Sequence, residues 1–298
     1  MTSSQAGSGG EFKANIPPLS QNLPGLEKEL APTPESTRLE GPTGFREYVG
    51  SGKLRDYAVL ITGGDSGIGR SVAALMAREG ADCTIVHLPQ EQPDAEDAKK
   101  LVESAGRKCL LVPFDLENYK DAGSIIEKHM KEYGRLDTLV NNASKQMQCK
   151  EFSEIDLDNV SSTFNTNILQ MFAVTKYALP HMKKGSSIIN TTSVVAFRGT
   201  PSMVDYAATK GAIASFTRAL AKNLTPKGIR VNAVAPGPVH TPLQPSSRPD
   251  EQMEGFGSKS QIGRPGQPSE VATSYVFLAS AEASLYYGQI LHPYPLGD

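Results

Sequence analysis

The chain has 298 residues, of which 39% are hydrophobic and 21% charged, and its formal net charge at pH 7 is −2. That balance suits a globular α/β protein with one large domain or two small ones, and it supplies no basic field for nucleic acid. The sequence shows no metal-ligand spacing among its three cysteines, no signal peptide and no apolar run long enough for a membrane span. We therefore expect a cytoplasmic protein without a metal site.

Residues 1–55 differ in composition from the rest and form a Pro/Gly-rich N-terminal extension. A Gly/Ser tract at 7–10 predicts disorder for roughly the first dozen residues. Apolar residues are scattered between 39 and 49. There, an extended arm on the domain or on a neighbouring subunit is as compatible with the sequence as disorder is. The domain itself is expected to span 56–298.

The run Y-A-V-L-I-T at 57–62 predicts a buried strand that leads into the turn G-G-D-S-G-I-G and an amphipathic helix. Strand, Gly-rich turn and helix in this order are the context of a dinucleotide-binding fingerprint. Gly63 allows the turn, Gly67 lets the backbone approach a pyrophosphate, and Gly69 lets the helix pack closely on the strand. With Ser66 in the same turn, these residues are the first expected cofactor contacts.

The second predicted strand, at 82–88, bears on the choice between NAD and NADP. In such folds an acid at the end of this strand bonds the ribose 2′-hydroxyl and repels a 2′-phosphate. The sequence offers His87, Leu88, Pro89 and Gln90 instead, and the nearest acid, Glu91, follows the proline. NADP(H) is therefore favoured over NAD(H), although no Arg or Lys replaces the acid.

Helices and strands then alternate along the chain, which predicts an α/β fold with a doubly wound parallel sheet of the Rossmann type. Further helices are predicted at 94–105, 118–133, 154–182, 206–224 and 270–280, and further strands at 108–114, 136–140, 187–192, 228–235 and 287–291. The segment 243–268 is long, rich in Pro, Gly and Ser, and without clear periodicity. A loop of that length in a compact domain is usually functional, so we expect a lid over the substrate.

Several polar residues lie at the ends of predicted strands, before a predicted helix or within one. Asn141 and Asn142 follow a strand at its carboxyl end, where ligands bind in doubly wound sheets. Asp115 can accept a hydrogen bond from an adenine amino group or cap the helix that follows, and both alternatives stay open. Asn167 lies within a predicted helix, a place more typical of a solvated or locally bonded side chain.

Tyr206 and Lys210 have i, i+4 spacing, which places both side chains on one face of a helix. A nearby cation lowers the pKa of a tyrosine, and a fall from about 10 to around 7 requires roughly 4 kcal/mol. The pair can therefore make a proton donor that works near neutral pH. Ser193, upstream across a loop, can supply a hydroxyl to the same reacting oxygen.

These motifs, taken together and in this order, closely resemble those of the short-chain dehydrogenase/reductase superfamily over roughly 56–298. The S-G-K-L run at 51–54, the T-G-G-D-S-G-I-G turn and the Y-A-A-T-K segment resemble its glucose/ribitol dehydrogenase branch. The residues that carry the resemblance are Thr62, Gly63, Gly67, Gly69, Asn141, Asn142, Ala143, Ser193, Tyr206, Lys210, Pro236 and Gly237.

The resemblance implies a role for each matching residue. Tyr206 matches the general acid/base, Lys210 the residue that holds the nicotinamide ribose and lowers the tyrosine pKa, and Ser193 the group that bonds the substrate carbonyl. Asn167 matches an asparagine that holds a water in a proton relay to Lys210. Further cofactor contacts are implied for Ile68, Asp115, Asn142, Val239 and Thr241. The family also implies a homo-oligomer, a tetramer.

The expected activity is NADP(H)-dependent hydride transfer between a ketone and a secondary alcohol, on a sugar or polyol or on a secondary-metabolite carbonyl. A non-redox enzyme (an isomerase or dehydratase) or a cofactor-sensing binding protein on the same fold is the alternative, since fold alone does not fix function. Two departures from the family stand out: Ser144 replaces a glycine, which is expected to crowd the site, and P-Y-P-L-G-D ends the chain. Gln146 and Cys149 are interpreted as loop residues.

Overall fold

The computed structural model describes Phe12, Pro17 and residues 19–294, the side chains of Asp250 and Gln252 excepted. The tract at 7–10, for which the sequence predicts disorder, and the last four residues of the P-Y-P-L-G-D ending lie outside the described residues.

Seven strands in the described part of the chain form one parallel sheet in the order β5-β4-β3-β6-β7-β8-β9. Strands β3, β6, β7 and β8 are buried at every position, as expected for a parallel sheet covered by helices on both faces. The doubly wound α/β fold predicted from the sequence is confirmed. The strands are β3 (Ala58–Thr62), β4 (Asp82–His87), β5 (Cys109–Pro113), β6 (Thr138–Asn141), β7 (Ser187–Thr191), β8 (Arg230–Val234) and β9 (Ile290–Leu291).

Helices cover both faces of the sheet and create two apolar cores. Helices α1 (Gly67–Arg78), α2 (Gln92–Ser104) and α9 (Pro268–Ala279) pack on one face. Helices α3 (Gly123–Tyr133), α5 (Gln170–Ala178) and α7 (Val204–Leu224) pack on the other. The remaining α-helices of the described chain are α4 (Leu157–Phe164), α6 (Val195–Arg198) and α8 (Asp250–Met253).

The region 154–182, predicted as largely helical, is not one regular helix. A π-helical segment, Asn165–Leu169, separates α4 from α5. Such segments are rare and are frequent at functional sites. The segment is only five residues long, and the regular helical spacing of α4 and α5 on either side of it predicts helix throughout.

Residues 19–55 lie against the domain as an arm with a short antiparallel hairpin, β1 (Arg38–Gly41) and β2 (Gly44–Glu47). The arm is hydrogen-bonded to the start of α9, where Ser269 N donates to Glu35 O at 3.0 Å and Glu35 N donates to Gln267 Oε1 at 3.0 Å. These contacts are long-range, so no local pattern in the sequence predicts them.

The segment 243–268 contains α8 and is otherwise made of turns. None of the helices in the described residues is long and apolar enough to cross a membrane.

Candidate functional site

A cavity of about 410 Å³ lies at the carboxyl ends of β3, β4, β6 and β7. This is the edge where parallel sheets of this type bind ligands, and the volume falls in the range of small-molecule sites. Most of the residues expected from the sequence line it. They are Gly63, Ser66, Gly67, Ile68, Asp115, Asn142, Ser193, Tyr206, Lys210, Val239 and Thr241.

The Gly-rich turn at one end of the cavity depends on positive φ angles and on close backbone approach. Gly63 and Gly67 have φ of +60° and +50°, which side-chain-bearing residues rarely adopt. A Cβ on Gly67 would lie 2.9 Å from Thr241 Cγ2, and a Cβ on Gly69 would lie 1.9 Å from the Gly63 carbonyl oxygen. Gly69 does not line the cavity, so it acts by packing α1 onto the turn.

Tyr206 and Lys210 lie on α7 at the other end of the cavity, and both line it. The Lys210 ammonium donates to Thr191 O at 3.0 Å and lies 5.3 Å from the centre of the Tyr206 ring. Burial lowers the pKa of Lys210 to about 7 and raises the pKa of Tyr206 to about 12. The fall toward 7 expected for the Tyr206 pKa is therefore wrong for the chain's own groups, because desolvation outweighs the neighbouring charges.

Two serine hydroxyls bond the Tyr206 phenol, and both bonds lower its pKa. Ser193, at the end of β7, is the partner expected from the sequence. Ser144 is the second partner, and its hydroxyl also donates to Asn167 Oδ1 at 3.3 Å. The departure from glycine at 144 was expected to crowd the site; instead it adds a hydroxyl beside the phenol.

A family model described as enoyl-(acyl carrier protein) reductase matches residues 63–293. The chain belongs to the short-chain dehydrogenase/reductase superfamily. The chain is 47% identical over 253 residues to NADPH-dependent aldehyde reductase 1, chloroplastic, of Arabidopsis thaliana, which covers 83% of this chain and 88% of that protein. Glucose and ribitol dehydrogenase homolog 2 of the same plant is 45% identical over 287 residues, covering 94% of this chain and 96% of that protein.

A solved structure adds to this family relationship. A short-chain dehydrogenase from Burkholderia cenocepacia J2315 in complex with NADP superposes with a TM-score of 0.74 and 29% identity. The match covers 80% of this chain and 97% of the Burkholderia chain. The resemblance to the superfamily read from the motifs is thus confirmed, and the chain is an oxidoreductase of this family.

Asn141, expected among the cofactor contacts of this family member, does not line the cavity. Its side chain is fully buried and donates to Asn190 Oδ1 at 2.9 Å and Thr175 Oγ1 at 3.3 Å. Because strand side chains alternate between faces, Asn141 points to the face covered by α5, while its neighbour Asn142 reaches the Gly-rich turn. Asn142 Nδ2 donates to Gly63 O at 2.9 Å.

The end of the cavity next to β4 is more acidic than the sequence suggests. Glu91 and Asp65 both line it, together with His87. Glu91 accepts a hydrogen bond from Leu88 N at 3.0 Å, and burial raises its pKa to about 8. Burial also raises the pKa of Asp65. The sequence argument for NADP rested on the lack of an acid immediately after β4; that lack holds, but the carboxylate of Glu91 lies back toward Leu88 and lines the same cavity.

Asp115 faces the same end of the cavity and also serves as a helix cap. Its Oδ1 accepts from Glu117 N at 2.9 Å, at the start of the 3₁₀-helix Leu116–Asp121. The capping alternative is thus observed, and the contact to adenine stays a prediction.

Asn167 is fully buried within the π-helical segment, and it does not line the cavity. Its side chain accepts from Lys145 N at 2.7 Å and donates to Lys145 O at 2.8 Å and Thr209 Oγ1 at 3.0 Å. These bonds tie the loop after β6 to α7, which carries Tyr206. The water relay implied by the family resemblance stays a prediction.

Arg248, in the loop between β8 and α9, was not identified from the sequence. Its positive charge lowers the pKa of Tyr206, so it lies within electrostatic range of the phenol. The guanidinium contacts Gln244 Oε1, Met203 Sδ at 3.9 Å and the Phe256 ring at 5.4 Å. Among the described residues it forms no ion pair with a carboxylate.

Gln146 was interpreted as a loop residue, and its contacts agree with that. It is buried and donates to Leu243 O at 3.2 Å and Ser247 Oγ at 2.7 Å, which fixes the start of the loop that carries Arg248. No sequence pattern marks Gln146, because it acts through contacts about a hundred positions away. Arg248 lies in a segment without periodicity, so nothing local marks it either.

The buried Lys210 makes folding stability depend on pH. Its pKa falls from 10.5 to about 7 on folding, so the folded chain binds fewer protons between those values and stability rises with pH across that window. We expect Lys210→Met to be more stable than the wild type at pH 6, with an advantage that shrinks toward pH 10. Thermal unfolding of both proteins over this range, without added cofactor, measures the difference.

Lys222→Met is the matched control, because Lys222 is exposed on the same helix. A stability difference between Lys210→Met and wild type that is the same at every pH would contradict the prediction.

Proposed function

We propose that the chain is an NADP(H)-dependent oxidoreductase that interconverts a ketone and a secondary alcohol by hydride transfer. The observation that carries the proposal is one cavity with a Gly-rich turn at one end and the Tyr206 phenol, bonded by Ser193, at the other. The cofactor supplies or accepts the hydride, while the chain positions the reactants and provides the proton.

The residues present fit a dinucleotide. Gly63, Gly67 and Ile68 line the cavity at the start of α1, and the two glycines bring bare backbone to its surface, where a pyrophosphate can approach closely. Buried polar atoms without a partner in the described structure, Asp65 Oδ2 and His87 Nε2, belong to side chains that line the same cavity. Unpartnered buried polar atoms are costly, and the hydroxyls of a bound ribose are of the right chemistry to satisfy them.

The proton chemistry follows from burial. With a pKa of about 12, Tyr206 is a phenol at neutral pH and is ready to donate its proton to a carbonyl oxygen. Ser193 supplies a second donor to the same oxygen, which stabilises the developing alkoxide. Lys210, with a pKa near 7, lies below the phenol ring and can exchange a proton at neutral pH.

The substrate is proposed as a sugar, a polyol or a secondary-metabolite carbonyl, with 243–268 as its lid. The names of two relatives support these classes, one as an aldehyde reductase and one as a glucose and ribitol dehydrogenase homologue. We also propose a cytoplasmic homotetramer, as the family resemblance implies. Exposed Phe172 offers an apolar contact for assembly, and light scattering measures the mass.

The function is tested by following NADPH absorbance with a panel of ketones and aldehydes. We expect Tyr206→Phe to lower kcat by about 10²–10⁴-fold, the usual contribution of a general acid, while NADPH binding measured by fluorescence is retained. Tyr287→Phe is the control, because Tyr287 does not line the cavity. Near-full activity of Tyr206→Phe would sink this mechanism, and turnover of no carbonyl or alcohol by the wild type would favour the non-redox alternative.

Cofactor preference gives a second prediction. The NADP complex of the Burkholderia neighbour and the NADPH-dependent relative support NADP(H), whereas Glu91 and Asp65 would repel a 2′-phosphate if both were ionised. Burial, together with the negative charges of Asp65 and Asp94, raises the pKa of Glu91 to about 8. Glu91 is therefore largely neutral at pH 7. We expect tighter binding of NADPH than of NADH at pH 7, and a preference that declines as pH rises through 8.

Dissociation constants of NADPH and NADH, measured at pH 6.5 and 9, check this. Glu91→Gln should keep its preference constant over that range. Tighter NADH binding at pH 7 would overturn the choice of NADP(H), and a preference independent of pH in the wild type would remove Glu91 from the explanation.

Arg248 gives a third prediction, because a half-buried cation within electrostatic range of the Tyr206 phenol can bind an oxygen of the substrate. Loss of a charge-assisted hydrogen bond costs about 1.5–3 kcal/mol, so we expect Arg248→Gln to lower kcat/KM by about 10–100-fold. Removing the cation also raises the pKa of Tyr206, so the basic limb of the pH–rate profile moves to higher pH.

The matched control is Lys259→Gln, an exposed cation in the same loop. The measurement is the pH–rate profile with any carbonyl that the wild type reduces. An unchanged kcat/KM and an unshifted basic limb in Arg248→Gln would exclude a role for Arg248 at the reacting centre.

A further inference from the structure

The N-terminal arm reaches the cavity that the family fold provides. Leu23 and Pro24 line it together with the Gly-rich turn and the segment after β8. The family model begins at residue 63, so this wall lies outside the part of the chain that the family model describes. The match to glucose and ribitol dehydrogenase homolog 2 covers 94% of this chain. The residues outside that match are fewer than those of the arm, so the match includes at least part of the arm.

One buried carboxylate attaches the arm to the helix that carries the Gly-rich turn. Glu27 is 1% exposed, and its Oε2 accepts a hydrogen bond from Gly67 N at 2.5 Å. Its Oε1 lies 2.9 Å from the Arg70 guanidinium. The Glu27 carboxylate thus accepts from the first N–H of α1, which has no partner within the helix. A negative group at this position is stabilised by the helix dipole.

The same region of the arm is held from two further directions. Asp94, at the start of α2 and fully buried, accepts from Glu27 N at 2.6 Å and Lys28 N at 3.3 Å. On the opposite side, Gln21 N donates to Pro245 O at 3.0 Å. Between these anchors, Gly25 has a φ of +85°, and a Cβ there would lie 2.8 Å from Pro242 O. The arm therefore bridges α1, α2 and the loop after β8.

Glu27 itself does not line the cavity, whereas Leu23 and Pro24 do. The carboxylate therefore binds the Gly67 N–H from behind the site and does not take the place of a cofactor phosphate. Leu23 remains 42% exposed, which leaves an apolar surface at the cavity that a bound molecule can cover.

We propose that the segment 21–30 forms a wall of the dinucleotide site, in which Leu23 and Pro24 contact the bound cofactor and Glu27 positions them. This rests on the proposed function, because the ligand is the nicotinamide dinucleotide of that function. Glu27 acts through the arm, so it is a positioning residue and touches neither the carbonyl substrate nor the reacting atoms.

The test compares Leu23→Ala and Glu27→Gln with Glu29→Gln, an exposed acid in the same short 3₁₀-helix, Glu27–Glu29. The dissociation constant and dissociation rate of NADPH are measured by fluorescence without a carbonyl substrate. Coupling between sites usually amounts to 5–150-fold, and we expect both variants to bind NADPH about 5–50-fold more weakly, mainly through faster dissociation. Glu29→Gln should stay within about twofold of the wild type.

A second readout separates positioning from a general loss of structure. In steady state, the KM for NADPH should rise in both variants while the KM for the carbonyl substrate stays near the wild-type value. Leu23 is at the surface, so Leu23→Ala is expected to fold even if Glu27→Gln is destabilised.

Unchanged NADPH binding by both variants would overturn the proposal. Tighter binding by Glu27→Gln would also overturn it, because Glu27 would then compete with the cofactor. If the wild type binds neither NADPH nor NADH, the proposed function fails together with this inference. If the wild type binds one of them and the variants bind it equally well, only this inference fails.

Discussion

The close approach of α1 to the Gly63 carbonyl is the contact on which the cofactor end of the molecule depends. A Cβ on Gly69 would lie 1.9 Å from that oxygen, so only glycine lets the helix begin so near the end of β3. The same oxygen accepts from Asn142 Nδ2, which sets the end of β6 against the turn. With the turn fixed, the Gly67 N–H faces the arm and donates to Glu27 Oε2.

Burial governs the electrostatics at the opposite end. It favours the neutral forms of both Tyr206 and Lys210, which raises one pKa and lowers the other. Desolvation raises the pKa of the Tyr206 phenol by more than the neighbouring Ser193, Ser144 and Arg248 lower it. In the pair Tyr206 and Lys210, desolvation is therefore the largest influence on the pKa of each group.

The sequence predicts the sheet and its order of elements well because both rest on local signals. Apolar runs bounded by Gly and Pro mark β3 to β8 within two residues of their observed bounds, and the Gly-rich turn is marked by its own spacing. Side-chain direction is harder to predict. Asn141 and Asn142 are adjacent, yet only Asn142 lines the cavity, because alternation along a strand sends neighbours to opposite faces. A prediction that rests only on the place of a residue at the end of a strand cannot tell which of these two side chains lines the cavity.

The residues that the sequence does not reveal lie in turns and loops, where no periodicity fixes the direction of a side chain. Glu91 lies beyond Pro89, so its place in the sequence does not indicate a contact at the end of β4. A 3₁₀-turn, Pro89–Glu91, brings its carboxylate back to Leu88 N and into the cavity. Glu27 and Arg248 lie in segments with no helical or strand periodicity, so nothing local orients them. Their roles depend on the tertiary contacts of Gly67 and Gln244.

The arm and the proposed lid are also joined to each other, through Gln21 at Pro245 and Gly25 at Pro242. Thr241 packs on Gly67 just before this segment, and Gln146 holds Leu243 and Ser247 within it. One short stretch of chain therefore contacts the Gly-rich turn, the arm and the loop after β6. Because interiors are close-packed, a displacement of this stretch is transmitted to all three. The arm residues Leu23 and Pro24 and the segment that holds Arg248 through Gln244 are thus connected through this one stretch of chain.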